Sequence, residues 1–209
     1  MSNRLLITCI ALLASLVIGL GLFWQPLTPT GSVSLASLPP GGNFTLQAAS
    51  GPVSLVDSLN RQPGQLGLIY FGYTYCPDIC PTTLSALTAG MALLTPDERA
   101  RLVLFFISVD PARDTPEHLK TYVEFFAPDI IGVTGSPAEL AEVAARYGVF
   151  YAAQPAQTPG GAYVVDHSSD SFIVGTDGRP LARLAHGTAP EQVAALIRQY
   201  LNQSRGVHP

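Results

Sequence analysis

The chain has 209 residues, 47% of them hydrophobic, and a formal net charge of −4. That length accommodates one domain with a proper core and is short for two. Its basic residues are scattered arginines with one lysine, Lys120, so no basic patch forms and nucleic acid is excluded as a partner.

From Leu5 to Trp24, LLITCIALLASLVIGLGLFW runs uncharged for about 20 residues, the length that crosses a hydrocarbon layer of ~30 Å. Residues 1–24 therefore read as an N-terminal transmembrane helix. Arg4 precedes it and no lysine or arginine follows until Arg61, so the positive-inside rule puts the N-terminus in the cytoplasm and the rest outside. A cleaved signal peptide is the competing reading, with SLAS at Ser34 to Ser37 as a small-residue site, but the apolar run exceeds the usual 7 to 15 residues. Cys9 lies inside the span, where it reads as a small packing residue. Residues 25–42, QPLTPTGSVSLASLPPGG, are uncharged and rich in Pro, Ser and Gly, as a flexible linker is. The folded domain is expected over residues 43–209.

FTLQ and PVSLVD flank AASG, which predicts a hairpin. LGLIYFGY and RLVLFFISVD are nearly continuous apolar runs, the pattern of strands covered on both faces. TPDE at Thr95, SPAE at Ser136 and TAPE at Thr188 each set a hydroxyl residue three before Glu with proline in the first turn, which predicts three capping boxes. DTPEHLKTYVEFF opens in the same way at Thr115, and AELAEVAARYG stops at Gly148. SFIVGTDGRPLARLAHG predicts a second hairpin, and APEQVAALIRQYLNQ a closing helix. Alternating strands and helices that end in a hairpin and a helix imply an α/β sandwich around a central mixed sheet. Functional groups in such sheets gather beyond the carboxyl ends of the strands.

Cys76 and Cys80 occupy such an end, in YFGYTYCPDICPTTL. Side chains four apart at a helix start are close, with Cβ atoms ~5–6 Å apart in regular helix. A disulfide prefers about 3.8 Å. Pro77 and Pro81 supply the irregularity that closing one would require, and the helix is expected to start at one or the other. A helix N-terminus favours thiolate, the form that attacks disulfides and binds metals. An inert disulfide would be a weak staple, because so short a loop removes little chain entropy. A redox couple and a metal site both stay open. Separating them requires a third residue, most plausibly histidine.

His118 is expected on a surface helix, His186 after an apolar run and His208 in the C-terminal tail, all without a role. His167, in AYVVDHSSDSFIVG, is expected in a polar loop where Asp166 would hold the imidazole as a neighbouring acceptor. Asp78, between the cysteines, reads either as a charge that tunes the thiols or as a helix cap.

YFGYTYCPDICPTTL, FFISVDPARDTPEHLKTYV and VVDHSSDSFIVGTDGR, in this order behind one N-terminal anchor, resemble the Sco/SenC family of copper-binding assembly proteins for cytochrome c oxidase. The resemblance spans residues 43 to 204. It implies a thioredoxin-like three-layer sandwich carrying one copper ion, cuprous or cupric, with ligands falling on Cys76, Cys80 and His167. It implies as partners the copper-binding domain of oxidase subunit II and another copper carrier. Location would be the bacterial inner membrane, single-pass, with the domain in the periplasm. Asp110, Arg113 and Asp114 of DPARDTP match the family and read first as loop and cap structure, second as charges that orient a partner. Tyr75 falls where varied residues are expected. Membrane-tethered thiol-disulfide exchange through Cys76 and Cys80 is the alternative function. Zinc fits the residue types alone, and the resemblance opposes it.

Overall fold

The computed structural model describes residues 38–155 and 163–205, with Leu12, Leu13 and Ser15 of the N-terminal segment. The chain divides into two compact units, Met1–Ser32 and Val33–Pro209, and every element below belongs to the second. The expected anchor otherwise lies outside the described residues, as do Cys9 and His208. Among the described residues no helix is long and apolar enough to cross a membrane.

Strands β1 (Thr45–Ala48) and β2 (Gly51–Ser54) form the expected first hairpin, pairing Ala48 with Gly51 across the turn. The second strand is shorter than PVSLVD suggested. Ser54 accepts the Asp57 backbone N–H, and this cap starts helix α1 (Leu55–Leu59) where the strand was expected to continue.

The core is a five-stranded sheet of β3 (Leu66–Gly72), β4 (Leu102–Ser108), β5 (Ile131–Val133), β8 (Ser171–Val174) and β9 (Pro180–Leu184), in the order β5-β4-β3-β8-β9. β5, β4 and β3 run parallel, β8 pairs antiparallel with β3 and β9 antiparallel with β8, so the sheet is mixed. Every residue of β3 is buried, as its unbroken apolar run requires of a strand covered on both faces.

Helices α2 (Ile79–Ala92), α4 (Pro116–Glu124) and α6 (Pro190–Arg205) cover one face. Gly72 approaches Cys80 of α2 there, Gly132 approaches Leu119 of α4, and Gly90 lets α2 close on Val193 of α6. On the other face, Tyr147 beyond α5 (Pro137–Arg146) packs against Phe71 and Phe172, and Leu59 of α1 approaches Gly67. Three layers result, and the fold is the thioredoxin-like one with a mixed central sheet. Helix α3 (Pro96–Ala100) is a short bridge into β4.

Thr95 and Ser136 form the expected capping boxes with Glu98 and Glu139. The third box does not form: Thr188 donates to the Ala185 carbonyl at 2.6 Å, and Gln192 instead receives the Ala189 N–H before Pro190. Gly148 follows α5 at φ +63°, the left-handed stop that glycine adopts freely. One further hairpin was not expected, β6 (Tyr151–Gln154) with β7 (Val164–His167), pairing Tyr151 with His167.

Candidate metal centre

β3 ends at Gly72, and the chain turns through Tyr73 to Asp78 before α2 begins at Ile79. Neither Pro77 nor Pro81 starts the helix. Pro81 is its third residue, where a backbone N–H would lack an intrahelical partner in any case. The turn is held from below by Asp114, fully buried, whose carboxylate accepts the Thr74 N–H at 2.9 Å, the Thr74 hydroxyl at 2.6 Å and the Ser108 hydroxyl at 2.5 Å. Asp114 is thus a loop anchor. Arg113 donates to Asp110 at 2.5 Å and to the Tyr163 carbonyl at 2.9 Å, with its guanidinium 3.6 Å from the Tyr163 ring centre and 4.7 Å from that of Tyr75.

Both thiols are free. Cys80 is wholly buried on the first turn of α2, and Cys76 is half-buried above it. Cys76 Sγ accepts the Cys80 backbone N–H at 3.4 Å. Hydrogen bonding from the Cys80 thiol is the largest influence that lowers the Cys76 pKa, to about 4, and the Cys80 backbone N–H lowers it further against the cost of burial. The Cys80 thiol moves the other way, upward, because its proton is held by Cys76 and its site is dry. One thiolate lies above one thiol.

His167 is the last residue of β7 and brings Nε2 to 3.3 Å from Cys80 Sγ. It lies in a strand, not in the polar loop expected from the sequence. Its Nδ1 is 2.9 Å from the Ser168 carbonyl, which can only accept, so Nδ1 carries the proton and Nε2 offers a lone pair toward the sulfurs. Asp166 does not hold the imidazole: neighbours on a strand point to opposite faces, and Asp166 accepts instead from Gln154 at 2.8 Å. Asp78 precedes the helix, but its side chain makes no cap bond and accepts the Thr82 hydroxyl at 3.3 Å.

The ligand atoms of Cys76, Cys80 and His167 lie within 4.8 Å of one another. Bonds of 2.0–2.3 Å to one ion would place donor atoms about 3.5 Å apart, so modest closing movements suffice to hold a metal. Two soft sulfurs and a neutral imidazole suit a cuprous ion, and the imidazole also serves the cupric state. The cluster stands beyond the carboxyl end of β3, where such sheets carry their sites. Sequence reasoning missed its surroundings: His118 Nε2 lies 3.0 Å from the Thr74 hydroxyl, and His186 Nδ1 2.9 Å from the Thr83 hydroxyl. Only spatial neighbours reveal either role.

Comparison with known proteins gives one family. The sequence profile described as SCO1/SenC matches residues 37–202. A SCO2-like protein of Rickettsia prowazekii is 33% identical over 202 residues, covering 92% of this chain and 96% of the relative. A putative copper-binding protein of Stutzerimonas stutzeri is 40% identical over 153 residues, 70% of this chain and 72% of its own. The structure of Bradyrhizobium japonicum ScoI with copper bound superposes with a TM-score of 0.64 at 36% identity, over 77% of this chain and 98% of that one.

Proposed function

The chain belongs to the SCO1/SenC family, and on that premise we propose that it is a membrane-anchored copper chaperone. Its cargo is one copper ion held by Cys76, Cys80 and His167, for assembly of the dinuclear copper centre of cytochrome c oxidase subunit II. The observation that carries this reading is the convergence of two sulfurs and one imidazole nitrogen within 4.8 Å at the sheet's carboxyl edge. Residues 1–24 serve as anchor in a bacterial inner membrane, with the domain in the periplasm. Cys76 is the ligand that an incoming partner thiolate can reach, since Cys80 is wholly buried. Transfer therefore begins at Cys76 and ends at Cys80.

The test uses the full chain, reduced, in detergent, offered copper against a cuprous chelator and zinc in parallel. Wild type is expected to retain one copper that zinc does not replace, Cys76→Ser to lose it, and His167→Ala to hold it more weakly. A fully reduced wild type that retains no copper sinks the proposal.

The thiolate above a buried thiol supports thiol-disulfide exchange as a second reading. Cys76 would attack a partner disulfide, releasing one partner thiol and forming a mixed disulfide. Cys80 would then give up its proton and attack Cys76, releasing the second partner thiol and closing the Cys76–Cys80 bond. Exchange that survives His167→Ala supports this reading; exchange abolished by that variant removes it.

A further inference from the structure

The cysteines and the histidine of the site stand on separate pieces of structure. Cys76 belongs to the turn that leaves the central sheet at β3, whereas His167 ends β7, which pairs only with β6 in a two-stranded sheet of its own. A lone pair of short strands is marginal, so side-chain contacts must fix where the imidazole stands relative to the sulfurs. Arg113, in the loop between β4 and α4, makes such contacts in both directions. Toward β7, its Nη1 donates at 2.9 Å to the carbonyl of Tyr163, the residue before the strand, and its Nε donates at 2.5 Å to the buried Asp110. The Tyr163 hydroxyl donates to the other Asp110 oxygen at 2.5 Å, so Arg113, Asp110 and Tyr163 close a ring at the root of the strand. Toward the turn, the guanidinium lies 4.7 Å from the ring centre of Tyr75, the neighbour of Cys76, and 5.6 Å from that of Tyr73. Tyr73 is buried, and its ring meets the His167 imidazole edge to face with centres 5.8 Å apart.

We propose that Arg113 is a positioning residue that registers the histidine strand against the cysteine turn, and so decides whether copper meets three ligands or two. A guanidinium can hydrogen-bond in its plane while aromatic rings cover its faces, and a lysine ammonium cannot do both. Without this joint the turn and its two sulfurs remain, but the imidazole loses its fixed approach. Two sulfurs suit a cuprous ion, while the cupric ion gains more from the imidazole, so losing the joint weakens cupric binding more than cuprous. The copper part rests on the reading proposed above; the placement of His167 in the metal-free chain does not.

The experiment uses the full chain, reduced, in detergent, as wild type, Arg113→Lys, His167→Ala and the double variant. Arg113→Lys keeps a positive charge beside Asp110 and gives up the planar fork. The first readout is metal-free: in nuclear magnetic resonance of histidine-labelled chain, the His167 ring signals, identified by their absence from His167→Ala, should shift and broaden in Arg113→Lys as the Tyr73 ring is displaced. The second is copper retention against a chelator. Cupric retention should fall about 10–100-fold in Arg113→Lys, the usual cost of losing a group that orients a metal ligand, and cuprous retention by less. In the His167→Ala background Arg113→Lys should cost nothing further, because both changes remove the same ligand. Wild-type His167 signals in Arg113→Lys overturn the inference, as does a copper loss that persists in full without His167. Should Arg113→Lys not fold, Tyr163→Phe takes one hydrogen bond from the same ring and must move the His167 signals; unmoved signals there overturn the inference as well. Wild type that takes no copper removes the chaperone reading, while the His167 signals still judge the joint.

Discussion

Cys76 and Cys80 are the same residue type in two electrostatic settings. Cys76 has a pKa of about 4, with hydrogen bonds from the Cys80 thiol and from the Cys80 N–H on the first turn of α2. Iodoacetamide should therefore modify Cys76 in preference to Cys80 in the reduced, metal-free chain, at a rate that stays flat from pH 8 to about 5 and falls with a midpoint near 4. A midpoint in the ordinary thiol range near 8.5 would show that those hydrogen bonds do not hold the thiolate. The same shift links stability to pH. Between about 4 and 8.5 the unfolded chain keeps a proton on Cys76 that the folded chain has lost, so stability rises with pH across that window. Cys80, shifted upward, acts in the opposite direction above 8.5, where the unfolded chain loses a proton the folded one retains. Urea unfolding of the reduced chain should give a midpoint that climbs from pH 4 to about 8.5 and then declines. Cys76→Ser should flatten the climb; a climb of wild-type slope in that variant would assign it to other groups.

The turn between β3 and α2 was only partly legible. Continuous apolar runs identified β3 and β4, and hydroxyl-Pro-x-Glu spacings located two helix starts, because those signals are local in the chain. The β6–β7 hairpin that delivers His167 gave none: its pairing of Tyr151 with His167 joins distant positions, and the imidazole's true partner is a backbone carbonyl, which any residue supplies. Asp114 shows the same limit, since its buried grip on Thr74 exists only in three dimensions. Thr74 gives its one hydroxyl proton to Asp114, so His118 must donate to it from Nε2. Asp114→Ala removes three accepted bonds and should destabilise the chain by at least about 1–3 kcal/mol, read by urea unfolding, with copper released faster to a chelator. A loss below ~0.5 kcal/mol would show that water replaces the carboxylate. Gly72 is the matching steric element: a Cβ there would sit 2.7 Å from Cys80 Sγ and 2.8 Å from Phe106. Gly72→Ala should cost about 1–3 kcal/mol through overpacking and weaken copper retention by displacing the sulfur. Wild-type affinity in a destabilised Gly72→Ala chain would show that the sulfur is not so displaced.

At the scale of the whole molecule, the proposed function depends on bringing a small exchange site to a membrane-bound partner. The linker expected over residues 25–42 is shorter at its far end, since the Gly41 and Gly42 N–H groups bond the Arg146 and Gly178 carbonyls of the domain at 2.9 and 3.0 Å. The tether that the proposed function asks for ends before residue 38, and a flexible chain of about 13 residues would span about 20 Å, from roughly 5–6 Å times the square root of its length. Confinement within such a radius corresponds to an effective concentration on the order of millimolar. A chaperone with an open, exchangeable site gains more from this than from tight binding, because cargo held too firmly is not handed on. Exchanging residues 1–24 for a cleaved export signal would leave the copper ligands unchanged and lower the local concentration of the site. At native expression, cells with that chain should assemble less copper-loaded oxidase, measured as activity per subunit II, and overexpression of the released domain should restore it. Restoration by mass action alone is the signature of a tether. Full oxidase activity from the released domain at native levels would show that the segment is not needed for delivery, and failure to recover at high expression would assign it a direct part in recognising the partner.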